Sequence, residues 1–232
     1  MGAIHSSPPL SVVIPTLDAA AQLGPTLAAL ENGRDIVHEI VIADGGSVDA
    51  TTMLAAGHGA RVIRAPRGRG LQLAAGARGA QGEWLMFLHA DTRLGPGWSA
   101  ALRRFIAEPE NAGRAGYFRF RLDDEASEAR RLEQIVAWRC RVLGLPYGDQ
   151  GLVLRRDFYG KLGGFPLLPL MEDVALVRRI GKRRLVLLEA DAVTSAARYR
   201  SEGYVRRSLR NIGCLGCYFM GVPPRLILRL YG

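Results

Sequence analysis

Up to Asp91 the chain alternates short apolar runs with segments rich in alanine, leucine and glycine. This alternation constrains the fold more than any other feature. The runs LSVVIPTL, HEIVIADGG, ARVIRAP and EWLMFLHAD are typical of strands, and the segments LGPTLAALEN, DATTMLAAGHG and LQLAAGARGAQG between them are typical of helices. Strands that alternate with helices form βαβ units. The pattern therefore predicts an α/β protein with a mostly parallel central sheet and helices on both faces.

Beyond Phe105 the alternation is less regular. AGYFRFRL and RRLVLLEADAVTS predict two further strands, and EQIVAWRCRVLG and MEDVALVRRIGK predict helices, the second ending at Gly181. GLVLRRDFYGKLGGF predicts a strand, a turn and a Gly-Gly loop. The 232 residues are 48% hydrophobic and contain neither an internal repeat nor a low-complexity linker, so we expect a single domain.

The formal net charge of +9 favours an anionic partner such as a nucleotide or a phospholipid surface. The arginines are scattered and no DNA- or RNA-binding motif is present, so we expect no nucleic acid. Three cysteines do not form a disulfide framework in a chain of this length, which suits a reducing compartment. The start MGAIHSSPPL lacks the pattern of a signal peptide, and no apolar stretch reaches the ~20 residues of a membrane span. We expect a cytoplasmic protein.

In parallel α/β sheets, ligands bind at the carboxyl ends of the strands. Asp44 follows IVIA at such an end, before two glycines that allow a ligand to approach closely. Its carboxylate is placed to accept hydrogen bonds from a ligand. The alternative is a structural turn in which Asp49 caps the next helix.

His89 and Asp91 end the run LMFLHADT. In a strand their side chains point to the same face, so both could contact one cation. Imidazole and carboxylate together suit Mn²⁺ or Mg²⁺. The alternative is a histidine at a strand end and an aspartate that caps a following helix with Thr92.

Glu172 and Asp173 lie in the predicted first turn of a helix, where acidic residues complement the helix dipole. The functional alternative is that one carboxylate reaches a cleft and acts as a general base towards an attacking hydroxyl. Asp149, between glycines in YGDQG, is a further polar candidate without a defined role.

Four pieces in order resemble the family 2 glycosyltransferases, whose fold is the GT-A nucleotide-sugar-binding α/β domain. VVIPTLDAA resembles the opening strand and P-T loop, and ADGGSVDAT resembles the nucleotide loop D-G-S-x-D-x-T. GRGLQLAAGARGAQGEWLMFLHADT resembles the passage into the D-x-D motif, and LGGFPLLPLMEDVALVRR resembles the G-G-F and E-D stretches. The resemblance runs from Leu10 to Tyr199, and its H-A-D variant is closest to a bacterial branch.

The resemblance implies an inverting, metal-assisted transfer of a sugar from a nucleoside diphosphate sugar to an acceptor hydroxyl. Asp173 would be the base and Glu172 would support the acceptor site, while Asp91 and His89 would hold Mn²⁺ or Mg²⁺. Asp44 would contact the base or ribose. The donor side would further include Pro15, Thr16, Gly45, Ser47, Arg69 and, at the pyrophosphate, Arg198. Within the single domain of residues 1–232, residues 10–104 would form the nucleotide-sugar half, residues 105–200 the acceptor half and residues 201–232 an apolar and basic tail.

Three departures from the family pattern accompany the resemblance. His89 replaces the first carboxylate of D-x-D, Ala74 stands where the family often has an asparagine, and no late histidine is available as a further metal ligand. Arg198 is therefore the candidate for the pyrophosphate contact.

Other functions compete with sugar transfer. A dinucleotide-dependent oxidoreductase would use similar βαβ units, but Leu73 occupies the third glycine position of its fingerprint. A sugar-1-phosphate nucleotidyltransferase would need a glycine-rich basic loop after the first strand, which IPTLDAA lacks. A non-catalytic protein that binds sugar nucleotides or a membrane surface would be indifferent to the loss of Asp173.

The apolar stretch from Ile212 to Tyr231 has arginines on and beside it, namely Arg206, Arg207, Arg210, Arg225 and Arg229. This pattern raises the hypothesis of peripheral contact with the inner face of a membrane. The alternatives are that the stretch covers the core or forms a homodimer contact.

Overall fold

The computed structural model describes residues 9–231 and shows one eight-stranded sheet with helices packed against it. The strands are β1 (Leu10–Thr16), β2 (Val37–Asp44), β3 (Arg61–Arg64), β4 (Trp84–Phe87), β5 (Thr92–Leu94), β6 (Ala115–Leu122), β7 (Leu152–Arg155) and β8 (Leu185–Thr194). The helices are α1 (Ala20–Leu30), α2 (Thr51–Gly57), α3 (Arg69–Gly79), α4 (Trp98–Ala107), α5 (Ser127–Leu143), α6 (Arg156–Lys161), α7 (Glu172–Ile180), α8 (Ala197–Glu202), α9 (Tyr204–Phe219) and α10 (Pro224–Tyr231).

The sheet has the order β3-β2-β1-β4-β7-β6-β8-β5. Four of the seven pairings are parallel, namely β1 with β2, β1 with β4, β2 with β3 and β6 with β8, and the other three are antiparallel. The expectation of a mostly parallel α/β sheet is confirmed. The first four strands in the sheet order form its βαβ part, and their carboxyl ends lie along one edge.

Strand β4 lies at the centre of the core. All four of its side chains are buried, as expected for a strand covered on both faces. Trp84 and Met86 pack in the cluster that includes residues of α1 and α4, whereas Leu85 and Phe87 pack in the cluster that includes residues of α3 and α7. Because successive side chains alternate, one short strand joins the two cores.

The structure contains elements that the sequence did not predict, among them β5 and α4, which follow Asp91, and the short helices α6 and α8. Thr92 therefore opens a strand, and the alternative that Asp91 and Thr92 cap a helix is wrong. In α4 the buried residues Trp98, Ala101, Leu102 and Phe105 follow the i, i+3, i+4, i+7 spacing of an amphipathic helix.

The predicted apolar tail forms two helices, α9 and α10. Cys214 and Ile227 anchor them in the core cluster of α3 and α7, and all three cysteines of the chain are free. Within residues 9–231, no helix is long and apolar enough to cross a membrane. The expectation about a signal peptide concerns mainly residues 1–8, which lie outside the described part of the chain.

Candidate functional site

A cleft of about 250 Å³ opens beside the carboxyl end of β4. Six polar residues from five separate segments line its polar end. They are Arg69, His89, Asp91, Asp149, Asp173 and Arg198. The other end is walled mainly by aliphatic side chains from α5, from α9 and from the loop before α7. Five of the polar residues were singled out from the sequence as site residues, and the fold brings all five to one place.

His89 and Asp91 lie in a turn and not in a strand, so the sequence argument from strand periodicity is wrong. Strand β4 ends at Phe87, where its pairing with β1 and β7 also ends. The chain then folds back, with the Thr92 amide donating to the His89 carbonyl at 3.2 Å. Thr26 of α1 fixes the turn by donating its hydroxyl to the Ala90 carbonyl at 2.8 Å. Both side chains still line the cleft.

The His89 ring is neutral at pH 7. Burial, assisted by the positive charge of Arg69, lowers the pKa of His89 from 6.5 to about 4, although Asp91 and Asp173 act in the opposite direction. Its Nε2 atom is buried and has no hydrogen-bond partner among the described residues. A neutral imidazole with an available ring nitrogen is the form that ligates metal ions.

Gly148 lies directly against this imidazole. A Cβ atom at position 148 would be only 2.5 Å from His89 Nε2, so no side chain fits there. The Gly148 amide donates to Asp173 Oδ2 at 2.9 Å. One backbone unit therefore holds the predicted base on one side and contacts the predicted metal ligand on the other.

Glu172 and Asp173 are the first two residues of α7, and they do different things. Asp173 lines the cleft, whereas Glu172 is fully buried behind Arg69 and forms an ion pair with it. Burial raises the pKa of Glu172, and Arg69 opposes that rise. Glu172 is therefore placed to orient Arg69, which itself reaches the cleft.

On the donor side, the predicted residues form a closed hydrogen-bond network at the ends of β1 and β2. Asp44 Oδ1 accepts from the hydroxyls of Thr16 at 2.9 Å and Ser47 at 2.5 Å, and Oδ2 accepts from the amides of Gly46 and Ser47, both at 2.9 Å. Burial raises the pKa of Asp44, but these four bonds outweigh it and leave the pKa below 3.8. A contact between Asp44 and a ligand base or ribose stays a prediction.

Gln72 and Asp18 also belong to this network, and the sequence analysis missed both. Gln72 of α3 donates to the carbonyls of Thr16 at 2.6 Å and Ala43 at 2.9 Å, which ties the ends of β1 and β2 together. Asp18 has a left-handed backbone (φ 48°) and accepts from the Val48 amide at 2.8 Å. A polar residue on the face of α3 that packs against two strand ends is the signal that could have identified Gln72.

Asp149 is a third carboxylate in the cleft whose role the sequence left undefined. Its Oδ1 is buried and has no hydrogen-bond partner among the described residues. Burial raises the pKa of Asp149 from 3.8 to about 6. The charges of Asp173 and Asp91 add to this rise, whereas Arg139 opposes it. The Arg139 guanidinium stacks on the Tyr147 ring, with Cζ 3.4 Å from the ring centroid. This Arg–Tyr pair closes the acceptor side of the polar end.

The residues present fit a divalent ion shared with a bound phosphate group. Within residues 9–231, no group of three or more His, Cys, Asp or Glu side chains is arranged to hold a metal alone. Mg²⁺ is commonly bound by one or two protein ligands, with substrate phosphates and water completing the coordination. Asp91 and the unpartnered His89 nitrogen can supply two ligands, and Arg69 and Arg198 supply positive charge for phosphate oxygens.

The cleft lies at the carboxyl ends of parallel strands, which is where α/β sheets bind their ligands. The model of the family described as "Glycosyl transferase family 2" matches residues 11–164 of the chain. The chain therefore belongs to glycosyl transferase family 2, and the GT-A fold expected from its sequence is confirmed. A comparison with curated proteins found no match.

Solved structures with this fold include glycosyltransferases crystallised with nucleotides and metal ions. Glucosyl-3-phosphoglycerate synthase from Mycobacterium tuberculosis, in complex with Mn²⁺, UDP and glucosyl-3-phosphoglycerate, is 21% identical with a TM-score of 0.59, and the match covers 80% of this chain and 70% of that chain. The same enzyme with Mg²⁺ and UDP is 20% identical with a TM-score of 0.59, and covers 80% and 69%. A mannosyltransferase from Pyrobaculum calidifontis with GDP-Man and Mn²⁺ is 19% identical with a TM-score of 0.62, and covers 88% and 60%.

Proposed function

We propose that this family 2 glycosyltransferase moves a sugar from a nucleoside diphosphate sugar to an acceptor hydroxyl, with inversion at the anomeric carbon and with Mn²⁺ or Mg²⁺ as cofactor. One observation carries the proposal: the cleft at the end of β4 gathers Asp91, His89 and Asp173 with Arg69 and Arg198. The structures of similar fold that hold UDP or GDP-Man with Mn²⁺ or Mg²⁺ support it.

The donor occupies the half formed by residues 10–104. Pro15, Thr16, Asp44, Gly45 and Ser47 surround the nucleoside at the ends of β1 and β2. Because Asp44 already accepts four hydrogen bonds, its main effect is to hold the loop from Gly45 to Ser47 in the conformation that receives the nucleoside.

The chemistry takes place between the donor half and residues 105–200. Asp173 accepts the proton of the acceptor hydroxyl as that oxygen attacks the anomeric carbon. The bond from this carbon to the diphosphate breaks, and its electron pair leaves with the nucleoside diphosphate. Arg69, held by Glu172, and Arg198 stabilise the charge that develops on the leaving group. Asp91 and His89 would hold the metal ion, which would add positive charge where the diphosphate departs.

The first experiment is a thermal-shift panel with UDP, GDP, dTDP, CDP and NAD, each with and without Mn²⁺. A ligand at a hundred times its dissociation constant stabilises by about 2.7 kcal/mol, which raises the midpoint by several degrees in a domain of this size. We expect a metal-dependent shift with one nucleoside diphosphate, which also identifies the donor base. A shift with NAD alone would instead indicate an oxidoreductase.

The variant Asp91→Ala tests the metal assignment. We expect the metal-dependent shift to disappear and donor turnover to fall by at least ~10³-fold, because diphosphate departure loses its charge stabilisation. The unfolding midpoint without ligands should stay unchanged. Full activity in Asp91→Ala would show that the assignment is wrong.

A further inference from the structure

The outer face of α9 carries an exposed apolar stripe. Val205, Leu209, Ile212 and Phe219 are exposed and follow the spacing i, i+4, i+7 and i+14, so they lie along one side of the helix. Ile212 is 61% exposed. On the opposite side of α9, Arg207 and Cys214 are buried against the domain. The helix is therefore anchored by one face and presents an apolar face to its surroundings.

A second exposed apolar stripe lies on α5. Ile135, Trp138 and Val142 follow the spacing i, i+3 and i+7 and are 57%, 51% and 42% exposed. The opposite face of α5 is buried in the cluster that contains Ala129, Val136 and Cys140.

The two stripes meet at the cleft. Ile135 and Ile212, one from each stripe, both line it. The cleft wall between them and the polar end is also largely aliphatic, with Leu132, Val136, Leu170, Val174 and Leu215. An acceptor that reaches Asp173 along this wall passes through an apolar channel whose mouth is rimmed by exposed apolar side chains. Such a lining fits an acceptor that carries an apolar group.

The exposed charge of α9 and α10 is positive, since their residues include no carboxylate and Glu202, just before α9, pairs with the inward-facing Arg207 and with Arg210. From Gly203 to Tyr231 the sequence contains five arginines and no aspartate or glutamate. Arg206 of α9 is exposed. On α10, Arg225 and Arg229 are exposed beside the exposed Leu226 and Leu230. Helices that combine an apolar face with flanking arginines lie in the interface of anionic membranes, where each basic residue adds about 1 kcal/mol.

Self-association explains this surface less well than a membrane does. A two-fold dimer brings the same patch of each copy together, so the arginines of α9 and α10 would face arginines. Glu202 pairs with Arg207 and Arg210, but no acidic side chain between Gly203 and Tyr231 could compensate for the exposed Arg206, Arg225 and Arg229. Anionic lipid headgroups provide both the negative charge and an apolar layer beneath it.

We propose that the exposed faces of α5, α9 and α10 dock on an anionic membrane surface, so that the apolar end of the cleft opens to the bilayer and receives a lipid as the acceptor. The docking rests on this surface alone, whereas the assignment of the lipid as acceptor also rests on the proposed function. The helices lie in the interface and do not span it.

Co-sedimentation of the full chain with vesicles tests the docking. Vesicles of phosphatidylcholine alone are compared with vesicles that also contain phosphatidylglycerol. We expect binding to the anionic vesicles that weakens as the salt concentration rises. The variant Leu209→Gln/Leu226→Gln should bind at least ~10-fold more weakly, because it removes apolar contacts from both helices. Since both side chains are exposed, the substitutions leave the folded core intact.

Met53→Gln/Leu187→Gln is the matched control, because it removes two exposed apolar side chains from α2 and β8. It should bind anionic vesicles as the parent chain does. Equal loss of binding in both double variants, or no binding by the parent chain, would overturn the proposal. A dimer in sedimentation velocity that Leu209→Gln/Leu226→Gln dissociates would also overturn it and assign the surface to a second copy.

Trp138 reports whether the mouth of the cleft faces the bilayer. It is 51% exposed, whereas the other two tryptophans, Trp84 and Trp98, are 4% and 1% exposed. We expect vesicles to shift the emission to shorter wavelength and brominated acyl chains to quench it. Trp138→Phe should lose the quenching but still sediment with vesicles. Binding of the parent chain without quenching would show that another face docks.

Donor hydrolysis without acceptor, measured in solution on the same variants, separates the two proposals. Leu209→Gln/Leu226→Gln should keep the parent rate, because neither residue lies in the cleft. If the parent chain binds vesicles but neither binds nor hydrolyses any nucleotide sugar with metal, the proposed function fails and the docking stands. If donor hydrolysis is intact but vesicles do not bind, only the docking fails.

Discussion

The ends of β1 and β2, proposed to receive the donor, and the polar end of the cleft differ in how far their polar groups are satisfied. At the ends of β1 and β2, Asp44 accepts four hydrogen bonds from its own loop and Gln72 bridges both strands. At the polar end of the cleft and directly behind it, His89 Nε2, Asp149 Oδ1 and Glu172 Oε2 are buried without hydrogen-bond partners among the described residues. The first region is preorganised before a ligand arrives. The second contains groups whose unpaired state costs stability, and two of them, His89 and Asp149, line the cleft, where a bound ion or substrate could supply the missing partner.

Replacement of Asp173 by asparagine should have the largest effect of the variants within the acceptor half. The amide keeps the shape but cannot take the proton from the acceptor hydroxyl, so we expect kcat to fall by about 10² to 10⁴-fold. Donor affinity, measured by calorimetry, should stay the same, because the donor half is formed without this residue.

Glu189→Gln serves as the control, since Glu189 is a surface carboxylate with an 88% exposed side chain. Its kcat should equal that of the parent chain. If Asp173→Asn kept its kcat but Asp149→Asn lost it, the base would be Asp149.

Variants of the Arg69–Glu172 ion pair measure how much the buried charge of Glu172 affects the free energy of unfolding. Glu172 is fully buried and Arg69 is 29% exposed, so Arg69→Gln should lower the free energy of unfolding by about 2 kcal/mol, less than for a fully buried pair. Arg69→Gln/Glu172→Gln should recover most of this loss, because no unpaired charge is left. Urea denaturation of these two variants and of Glu172→Gln completes a double-mutant cycle. If the changes in unfolding free energy of the two single variants add up to that of the double variant, the two residues are not coupled.

Asp149 should make the metal-free protein less stable at pH 7 than at pH 5. Its pKa of about 6 in the folded chain lies above 3.8, so the folded state binds the proton more tightly, and the penalty for its charge is relieved as the pH falls through 6. Asp149→Asn should therefore raise the free energy of unfolding at pH 7.5 by about 1 to 3 kcal/mol.

The gain from Asp149→Asn over the parent chain should shrink towards pH 4. His89, with its pKa lowered to about 4, acts in the opposite sense but is present in both proteins, so the difference between them isolates Asp149. A gain that does not change with pH would contradict the assignment.

Ser47→Ala should give the smallest effect. It removes one hydroxyl from the four donors to Asp44 and leaves the Ser47 amide bond in place, so we expect a loss of about 1 kcal/mol in unfolding free energy. The KM for the donor should rise a few-fold while kcat changes little. A large fall in kcat would mean that the donor half takes part in the chemistry itself.

The parts of the fold that could be predicted are those in which the local pattern and the tertiary environment agree. Strand β1 and the second half of β2 are buried and rich in β-branched residues, and α7 has acidic residues in its first turn and ends at Gly181. β5 could not be predicted, because a strand of three residues has no detectable periodicity and forms only by pairing with β8. The turn at His89 was missed for a related reason, because β4 ends where its pairing with β1 and β7 ends, at Phe87.

The site could be predicted as a set of residues but not as a set of roles. The resemblance identified Asp91, Asp173 and Arg69, and it assigned the base to Asp173 and support of the acceptor site to Glu172, but the local residue pattern did not distinguish the environments of these two carboxylates. Their different environments, one buried behind Arg69 and one open to the cleft, arise from contacts with a segment over one hundred residues away. The roles of Gln72 and Asp149 depend on such distant contacts too.

Gly148 makes the site unusually intolerant of sequence change. Because a Cβ atom at this position would lie 2.5 Å from His89 Nε2 and the Gly148 amide holds Asp173, a side chain here would displace the proposed metal ligand and the proposed base together. In a saturation screen for activity, position 148 should accept glycine alone, although it lies in a surface-connected loop where variation is otherwise tolerated. The geometry of the proposed base and the proposed metal ligand thus depends on a residue that contributes no functional group.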